Sequence, residues 1–149
     1  MSSSSYSSSN GFSNSDMTGA EDIAIDASGS AWVTNQAGSN PTTSAGTAVK
    51  LTAPSTYSAL YTVGNGPDGV AIDHAGNIWV ANSGSNTVEE LDPSGNIVKT
   101  YSVGTNPVDV AIDSSGDVWV TNNGDGTVSE LVGVATGPQF FPYGGPQFP

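Results

Sequence analysis

The residue types that most often perform chemistry are scarce in this chain of 149 residues, which has no cysteine and one histidine, His74. His74 lies in an Asp-x-x-Gly turn, and the aligned residues of two similar stretches are Ser28 and Ser114. We therefore interpret it as a turn residue and not as a general base. Glu89 and Glu90 are neighbours in a predicted strand, so their side chains point to opposite faces and cannot act as a pair. The sequence predicts no catalytic residue and no enzyme activity.

Oxygen ligands of the kind that Ca²⁺ takes occur in two loops of the last third of the chain. The candidate ligands are Asp113, Asp117 and Asp125. Neither loop has the twelve-residue spacing of an EF-hand, and aspartate in such turns usually accepts hydrogen bonds from backbone N–H groups. We expect no cofactor, with calcium as the alternative.

The charge balance excludes two classes of partner. The chain carries 14 acidic residues against two lysines and no arginine, a formal net charge of -12. Nucleic acid binding depends on Lys and Arg contacts with phosphates, and anionic membranes also attract basic residues. We therefore expect neither nucleic acid binding nor membrane insertion. The low charge and the abundance of Ser, Thr, Asn and Gly are typical of secreted bacterial proteins, so we expect an extracellular or periplasmic location, although residues 1–10 do not resemble a signal peptide.

A repeat organises the elements that carry these residues. Residues 69–92 return as residues 109–132, and a looser copy occupies residues 22–35 and 47–52. Each copy has short alternating strands bounded by Asp-x-x-Gly turns, a hairpin pattern. The middle strand is apolar on both faces and must be covered on both sides. Four strands in about 40 residues predict an all-β protein of three propeller blades.

The repeat also predicts the boundaries of the blades. They fall at residues 21–66, 67–106 and 107–132, between a Ser-rich segment (1–20) and a Pro/Phe/Gly-rich tail (133–149). The spacing from Trp32 to Trp79 is seven residues longer than that from Trp79 to Trp119, which places an insertion within residues 35–46. Because Pro138 and Pro142 remove ladder donors, we expect the third blade to lack a regular outer strand.

Loops between the second and third strands gather with the blade crossovers on one face of a propeller. We expect that face to present polar and acidic side chains, suited to a neutral glycan or a basic partner: Asn35, Asn82, Asn122, Asp68 and Asp109, with Asp125 nearby. A solvated loop surface without a ligand is the alternative. The three tryptophans, one per blade, are expected to pack between blades rather than to stack on sugars.

Two segments carry a family resemblance: Pro-x-Gly-Val-Ala-Ile-Asp at residues 67–73 and Gly-Asn-Ile-Trp-Val-Ala-Asn at residues 76–82. They resemble NHL repeats, and more specifically the streptogramin (virginiamycin B) lyase-like β-propeller superfamily. The resemblance implies rings that usually have six blades, so three blades make half a ring. It also implies that the lyases use two histidines and a glutamate beside a magnesium ion. One histidine per chain cannot supply that set.

Half a ring leaves apolar blade faces open, which predicts a homo-oligomer: a dimer closing a six-bladed ring, or a head-to-tail fibre. We expect the Ser-rich segment to add a strand to the incomplete third blade. Aromatic residues of the two terminal segments are candidates for self-association: Tyr6, Phe12, Phe140, Phe141, Tyr143 and Phe148. The predicted function is a non-enzymatic extracellular structural or adhesive module. The alternatives are a ligand-binding or lyase-like propeller acting on a small molecule or glycan, and one half of a longer propeller.

Overall fold

Three antiparallel sheets, arranged as propeller blades, make up the structure. The computed structural model describes residue 17 and residues 19–36, 45–52 and 56–137. Blade 1 contains β1 (Ala20–Ile25), β2 (Ala31–Asn35), β3 (Ala45–Thr52) and β4 (Thr56–Asn65). Blade 2 contains β5 (Pro67–Ile72), β6 (Ile78–Asn82), β7 (Thr87–Leu91) and β8 (Ile97–Ser102). Blade 3 contains β9 (Pro107–Ile112), β10 (Val118–Asn122) and β11 (Thr127–Leu131). Within each sheet, neighbours in sequence are neighbours in space.

The predicted fold class is confirmed. All the regular elements in the described ranges are strands, and the third sheet has three of them where the others have four. The outer strands β4 and β8 begin and end within two residues of the positions that the sequence indicated. In the described part of the chain, no helix is long and apolar enough to cross a membrane.

Each blade begins with a hairpin closed by its Asp-x-x-Gly turn. In blade 2, Asp73 Oδ1 accepts hydrogen bonds from the N–H groups of Ala75 and Asn77, both at 2.9 Å. Gly76 follows with a φ of 89°, a left-handed conformation that costs glycine little. Asp73 Oδ2 also accepts the indole N–H of Trp79 at 3.5 Å. The turn aspartate therefore fixes both the hairpin and the tryptophan of the next strand.

The first strands of the blades lie side by side at the inner edge of the assembly, since β5 contacts both β1 and β9. The crossovers that lead into β5 and β9 lie beside the β6–β7 and β10–β11 turns. Ser83 N–H donates to Gly66 O at 2.7 Å, and Asn123 N–H donates to Asn106 O at 2.9 Å. We call this end of the molecule the crossover face, and the end with the Asp-x-x-Gly turns the turn face.

The core consists of two similar layers between blades. In the first layer, Trp32 of blade 1 is fully buried against an apolar set from blade 2: Val70, Ile78, Val80 and Leu91. In the second layer, Trp79 of blade 2 is fully buried against the matching set from blade 3: Val110, Val118 and Val120. Strand alternation explains the pattern, because even and odd residues of β6 point toward opposite neighbours. Each blade thus has a tryptophan face toward the next blade and a valine face toward the previous one.

The chain beyond β11 runs back over the turn face. Ala135 N–H donates to Gly116 O, and His74 N–H donates to Thr136 O, both at 3.0 Å. Thr136 N–H in turn donates to Asp73 Oδ2 at 3.0 Å. Residues 133–137 therefore bind the turns of blades 2 and 3 and do not extend the third sheet. The predicted strand addition by the Ser-rich segment, and the six aromatic residues of the terminal segments, lie outside the described residues.

Candidate functional site

A depression of about 350 Å³ opens on the crossover face, where the inner strands begin. Its lining comes from the first residues of β1, β5 and β9: Glu21, Asp22, Asp68, Gly69, Val108 and Asp109. The crossovers place these residues together, since each enters its inner strand at the same end of the sheet. Four carboxylates without a cation in the lining make the depression strongly acidic and unsuited to anions.

Two of the four carboxylates are already engaged with backbone. Asp22 Oδ1 accepts the N–H of Ile23 at 2.8 Å, and its Oδ2 accepts the N–H of Val70 on the neighbouring blade at 2.9 Å. Asp109 Oδ1 accepts the N–H of Val110 at 2.8 Å. Asp22 therefore ties blade 1 to blade 2, and Asp109 has one carboxylate oxygen bound to its own strand.

Asp68 is a half-buried carboxylate of the depression. Burial raises its pKa above the ordinary value, and hydrogen bonds from Ser83 and Gln36 partly offset that rise. The Gln36 amide donates to Asp68 Oδ1 at 3.1 Å. Protonation at mildly acidic pH is therefore easier for Asp68 than for a free aspartate.

The structure corrects the expected role of three asparagines. Asn35, Asn82 and Asn122 end their strands and are exposed by only 1%, 0% and 2%, so they do not form part of a solvent-facing ligand surface. Each lies two residues after a valine of the valine face, and strand alternation turns its amide in the same direction. A Cβ on Gly64 would lie 2.8 Å from Asn82 Cγ, which shows how closely the crossover covers that amide.

The three calcium candidates do not converge. Asp113 accepts the N–H groups of Ser115 and Asp117 in the turn before β10, and its other oxygen accepts the Trp119 indole N–H. Asp125 lies at the opposite end of β10, where it accepts the N–H of Thr105 at 2.7 Å. In the described ranges, no three aspartate, glutamate or histidine side chains are arranged so that they could hold a metal ion. These aspartates fix turns and crossovers.

His74 and the glutamate pair also lie apart from the depression. His74 is exposed in the β5–β6 turn on the turn face, at the other end of β5 from Asp68. Glu89 is buried and accepts the N–H of Gly64 at 3.0 Å, whereas Glu90 accepts the Tyr101 hydroxyl at 3.3 Å. The two glutamates thus face different partners, as strand alternation predicts.

The outermost blades each have one apolar face with no neighbouring blade in the described part of the chain. On blade 1 the valine face carries a cluster of Val33, Val49 and Leu51, which is buried (6%, 0% and 8% exposed) and against which Met17 packs. Ile23 and Ile25 of β1 are the exposed residues of that face. A depression of about 350 Å³ opens there, lined by Met17, Ala20, Glu21, Asp22, Ile23, Val33 and Leu51. On blade 3 the tryptophan face exposes Trp119 by 40% and Val128 by 61%.

Missing contacts explain the exposure of Trp119. In blades 1 and 2 a tyrosine of the outer strand stacks on the tryptophan, Tyr61 on Trp32 at 5.3 Å and Tyr101 on Trp79 at 5.6 Å between ring centroids. Blade 3 has neither an outer strand nor a following blade in the described part of the chain. Sequence analysis placed all three tryptophans between blades, and the structure buries two of them there.

Comparison with known proteins supports the architecture. The sequence pattern of the family described as "SMP-30/Gluconolactonase/LRE-like region" matches residues 43–111. A streptogramin B lyase structure is similar with a TM-score of 0.62 and 19% identity, over 76% of this chain and 37% of that one. This chain has a β-propeller fold. The similarity confirms, at the level of the fold, the resemblance drawn from residues 67–82.

Two further structures give the same result. Virginiamycin B lyase from Staphylococcus aureus, in an inactive form with quinupristin, has a TM-score of 0.58 and 20% identity over 76% of this propeller chain and 41% of that chain. A luciferin-regenerating enzyme has a TM-score of 0.59 and 17% identity over 80% and 47%. This propeller therefore spans less than half the length of the structures it matches. No curated protein sequence matches it significantly.

The residues do not fit the magnesium-dependent lyase site that the resemblance implied. The crossover-face depression has four carboxylates and no imidazole, and His74 lies on the opposite face. Two of those carboxylates accept backbone N–H groups and so have less capacity for a metal.

Sequence analysis missed the residues that join blades 1 and 2, namely Asp22 and Thr34. Thr34 Oγ1 donates a hydrogen bond to Asp68 O across the junction. The repeat alignment contained the signal, because Asp109 and Thr121 occupy the same positions in blade 3. Blade 2 has Gly69 and Ala81 there, so the junction between blades 2 and 3 has no counterpart of these two polar side chains.

Proposed function

We propose that this propeller is a non-enzymatic structural or adhesive module that works by associating with further copies of itself. The exposed tryptophan face of blade 3 and the exposed isoleucines of β1 in blade 1 carry this proposal. Trp119, Val128, Ile23 and Ile25 are exposed by 40%, 61%, 58% and 61% at opposite ends of the molecule. Apolar faces of this kind mark interaction sites. The composition favours an extracellular or periplasmic setting for such a module.

Oligomeric mass tests the proposal without assuming how the copies meet. Sedimentation velocity or light scattering over about 1–100 μM chain should show a mass that rises from one chain to two or more, because association follows mass action. A single-chain mass throughout that range would contradict self-association.

Absence of catalysis is a second part of the proposal. Its support is the distance in the fold between His74 and the acidic depression, and the lack of a second histidine. The printed names of the similar structures and family suggest the substrates to assay: quinupristin and a sugar lactone. Incubation with either substrate, with and without added Mg²⁺, should leave it unchanged while an active lyase or lactonase control consumes it. Turnover that disappears in a His74→Ala variant would overturn this part. We propose no cofactor.

One observation favours ligand binding as the second candidate function. The crossover-face depression of about 350 Å³ is large enough for a monosaccharide or a basic side chain, and Asp68 and Glu21 offer carboxylate acceptors there. A neutral glycan or a basic peptide suits this chemistry. Binding detected by calorimetry and weakened at least tenfold in an Asp68→Asn variant would establish this function.

A further inference from the structure

The two junctions inside the molecule repeat one contact. Trp32 of blade 1 packs on Val70, Val80 and Leu91 of blade 2, and Trp79 of blade 2 packs on Val110 and Val120 of blade 3. The tryptophan of one blade always enters the apolar face of the next blade. The two successive blade junctions therefore share one packing arrangement, a tryptophan against aliphatic side chains of the next blade.

Blade 1 carries a third copy of the surface that receives tryptophan. In the repeat alignment, Ile23, Val33 and Leu51 occupy the positions of Val70, Val80 and Leu91. These same three residues line the depression of about 350 Å³ on the valine face of blade 1. We call this depression the blade 1 socket. Ile23, exposed by 58%, is its open side, whereas Val33 and Leu51 are buried and Met17 packs against them. A tryptophan that entered the socket as Trp32 enters blade 2 would displace Met17.

Blade 3 carries a third copy of the tryptophan, held in the same orientation. Trp119 lies opposite Ala111 in β9, as Trp32 lies opposite Ala24 in β1. Its indole N–H donates to Asp113 Oδ2 at 3.1 Å, the same bond and length that join Trp32 to Asp26. Trp119 is therefore already set for the docking that Trp32 performs, although 40% of it is exposed.

Polar groups at the edge of the tryptophan face repeat as well. At the junction of blades 1 and 2, Asp22 accepts the N–H of Val70 at 2.9 Å and Thr34 donates to the carbonyl of Asp68. Asp109 and Thr121, the counterparts in blade 3, are both exposed. On another blade 1, Thr121 would meet the carbonyl of Glu21. The N–H of Ile23 already donates to Asp22 Oδ1 at 2.8 Å, so Asp109 has no counterpart of the Asp22–Val70 bond there. Blade 3 thus has one of the two polar contacts of a blade junction in addition to its apolar half.

We propose that a second copy of this chain docks blade 3 onto blade 1 in the register of the internal junctions, with Trp119 in the blade 1 socket. This inference rests on the proposed self-association and specifies its geometry. Each copy offers one tryptophan face and one socket, so two copies that make the contact twice close a ring of six blades with two-fold symmetry, whereas a contact whose rotation does not close adds copies in a fibre. The closed pair is the arrangement proposed.

Paired cysteines test the register, because the chain has no cysteine of its own. A variant with both Thr121→Cys and Glu21→Cys, treated with a mild oxidant that forms disulfides, should give a covalent species of two chains and no larger ladder. The matched control is Thr34→Cys with Asp68→Cys, the equivalent pair inside one chain, which should cross-link within a single chain.

The outcomes separate this inference from the proposed function. A two-chain product supports the closed ring, whereas a ladder of three or more chains overturns closure and indicates a fibre. An oligomeric mass without cross-linking, when the control pair reacts, overturns the register and leaves self-association standing. A single-chain mass overturns both.

A substitution of the tryptophan provides an independent readout. Trp119→Ala should raise the dissociation constant at least tenfold, since large buried aromatic residues dominate interface energies. The control is Val98→Ala, a residue exposed by 59% on the outer strand of blade 2 and remote from both free faces. Tryptophan fluorescence of the unmodified protein should shift to longer wavelength on dilution, because Trp32 and Trp79 remain buried and only Trp119 becomes exposed. Equal constants for Trp119→Ala and the unmodified protein, with both folded by circular dichroism, would overturn the proposal.

Discussion

The aspartates of the turns accept hydrogen bonds that hold the turns in place, and this is their main role in the structure. Asp26 accepts the N–H groups of Ser28 and Ser30, the Trp32 indole N–H and the Lys50 ammonium at 3.2 Å. Burial alone would raise the pKa of Asp26, but these bonds outweigh it and hold the pKa well below its ordinary value. The charged form is therefore the one that the folded state selects.

We predict that Asp26 contributes to acid sensitivity. A folded pKa below the unfolded value means that its stabilisation is complete above about pH 4–5 and is lost as the pH falls below that range. Asp26→Asn should lower the free energy of unfolding by about 1–3 kcal/mol at pH 7, because a charged acceptor is lost. The difference between this variant and the unmodified protein should shrink at pH 3. Urea unfolding at pH 7, 5 and 3 measures it.

Glu130→Gln is the control for the change of charge. Glu130 is exposed on β11, so its substitution should change stability little at any of the three pH values. If Asp26→Asn lowers the free energy of unfolding by the same amount at pH 7 and at pH 3, the ionised carboxylate does not have this role.

At the scale of elements, the Asp-x-x-Gly turns are alike in backbone and different in surroundings. Gly29 and Gly116 have φ values of 83° and 84°. A Cβ on Gly29 would meet nothing within 4 Å, whereas a Cβ on Gly116 would lie 2.3 Å from Ala135 O. Residues 133–137 therefore pack directly against the turn of blade 3, whereas the turn of blade 1 has open space around Gly29.

We predict different costs for the same substitution in these two turns. Gly29→Ala should destabilise by about 1–2 kcal/mol through left-handed strain alone. Gly116→Ala should cost more, because the new methyl group displaces residues 133–137 as well. Denaturant unfolding gives the two free energies, and limited proteolysis followed by mass spectrometry should show faster cleavage after residue 132 only in Gly116→Ala. Equal effects in both variants would show that residues 133–137 add nothing to the turn.

At the scale of the whole molecule, charge opposes the association that apolar faces favour. Each chain carries a net charge of -12, and the depression beside the inner strands concentrates Glu21, Asp22, Asp68 and Asp109. Closing a ring would bring two such depressions together around one axis. Repulsion between like charges therefore sets a limit on the strength of the dimer.

We predict that salt strengthens association. Raising NaCl from 50 to 500 mM should lower the dissociation constant severalfold, because screening weakens repulsion between exposed carboxylates. Lowering the pH from 7.5 to 5 should act in the same direction, since the raised pKa of Asp68 makes it easier to protonate than an ordinary aspartate. Sedimentation equilibrium measures both effects, and Asp68→Asn should reduce the pH effect. Weaker association at high salt would indicate that ion pairs hold the copies together.

The sequence by itself determined the blades, because their information is local. Alternation of apolar residues, the Asp-x-x-Gly turns and the period of about 40 residues each act within one hairpin or one repeat. That blade 3 has three strands in the described part of the chain agrees with the sequence, since proline removes a ladder donor wherever it falls.

Only the tertiary structure decided which residues face solvent and which face a neighbour. Asn82 is a polar residue at the end of a strand, which is why the sequence suggested a place on a ligand-binding face. The crossover at Gly64 buries it instead. Trp32 and Trp119 lie in similar sequence contexts, yet one is covered by the next blade and the other is exposed on an end face. A repeat specifies the same contacts for every copy, whereas the position of each copy in the assembly determines whether a partner is present to make them.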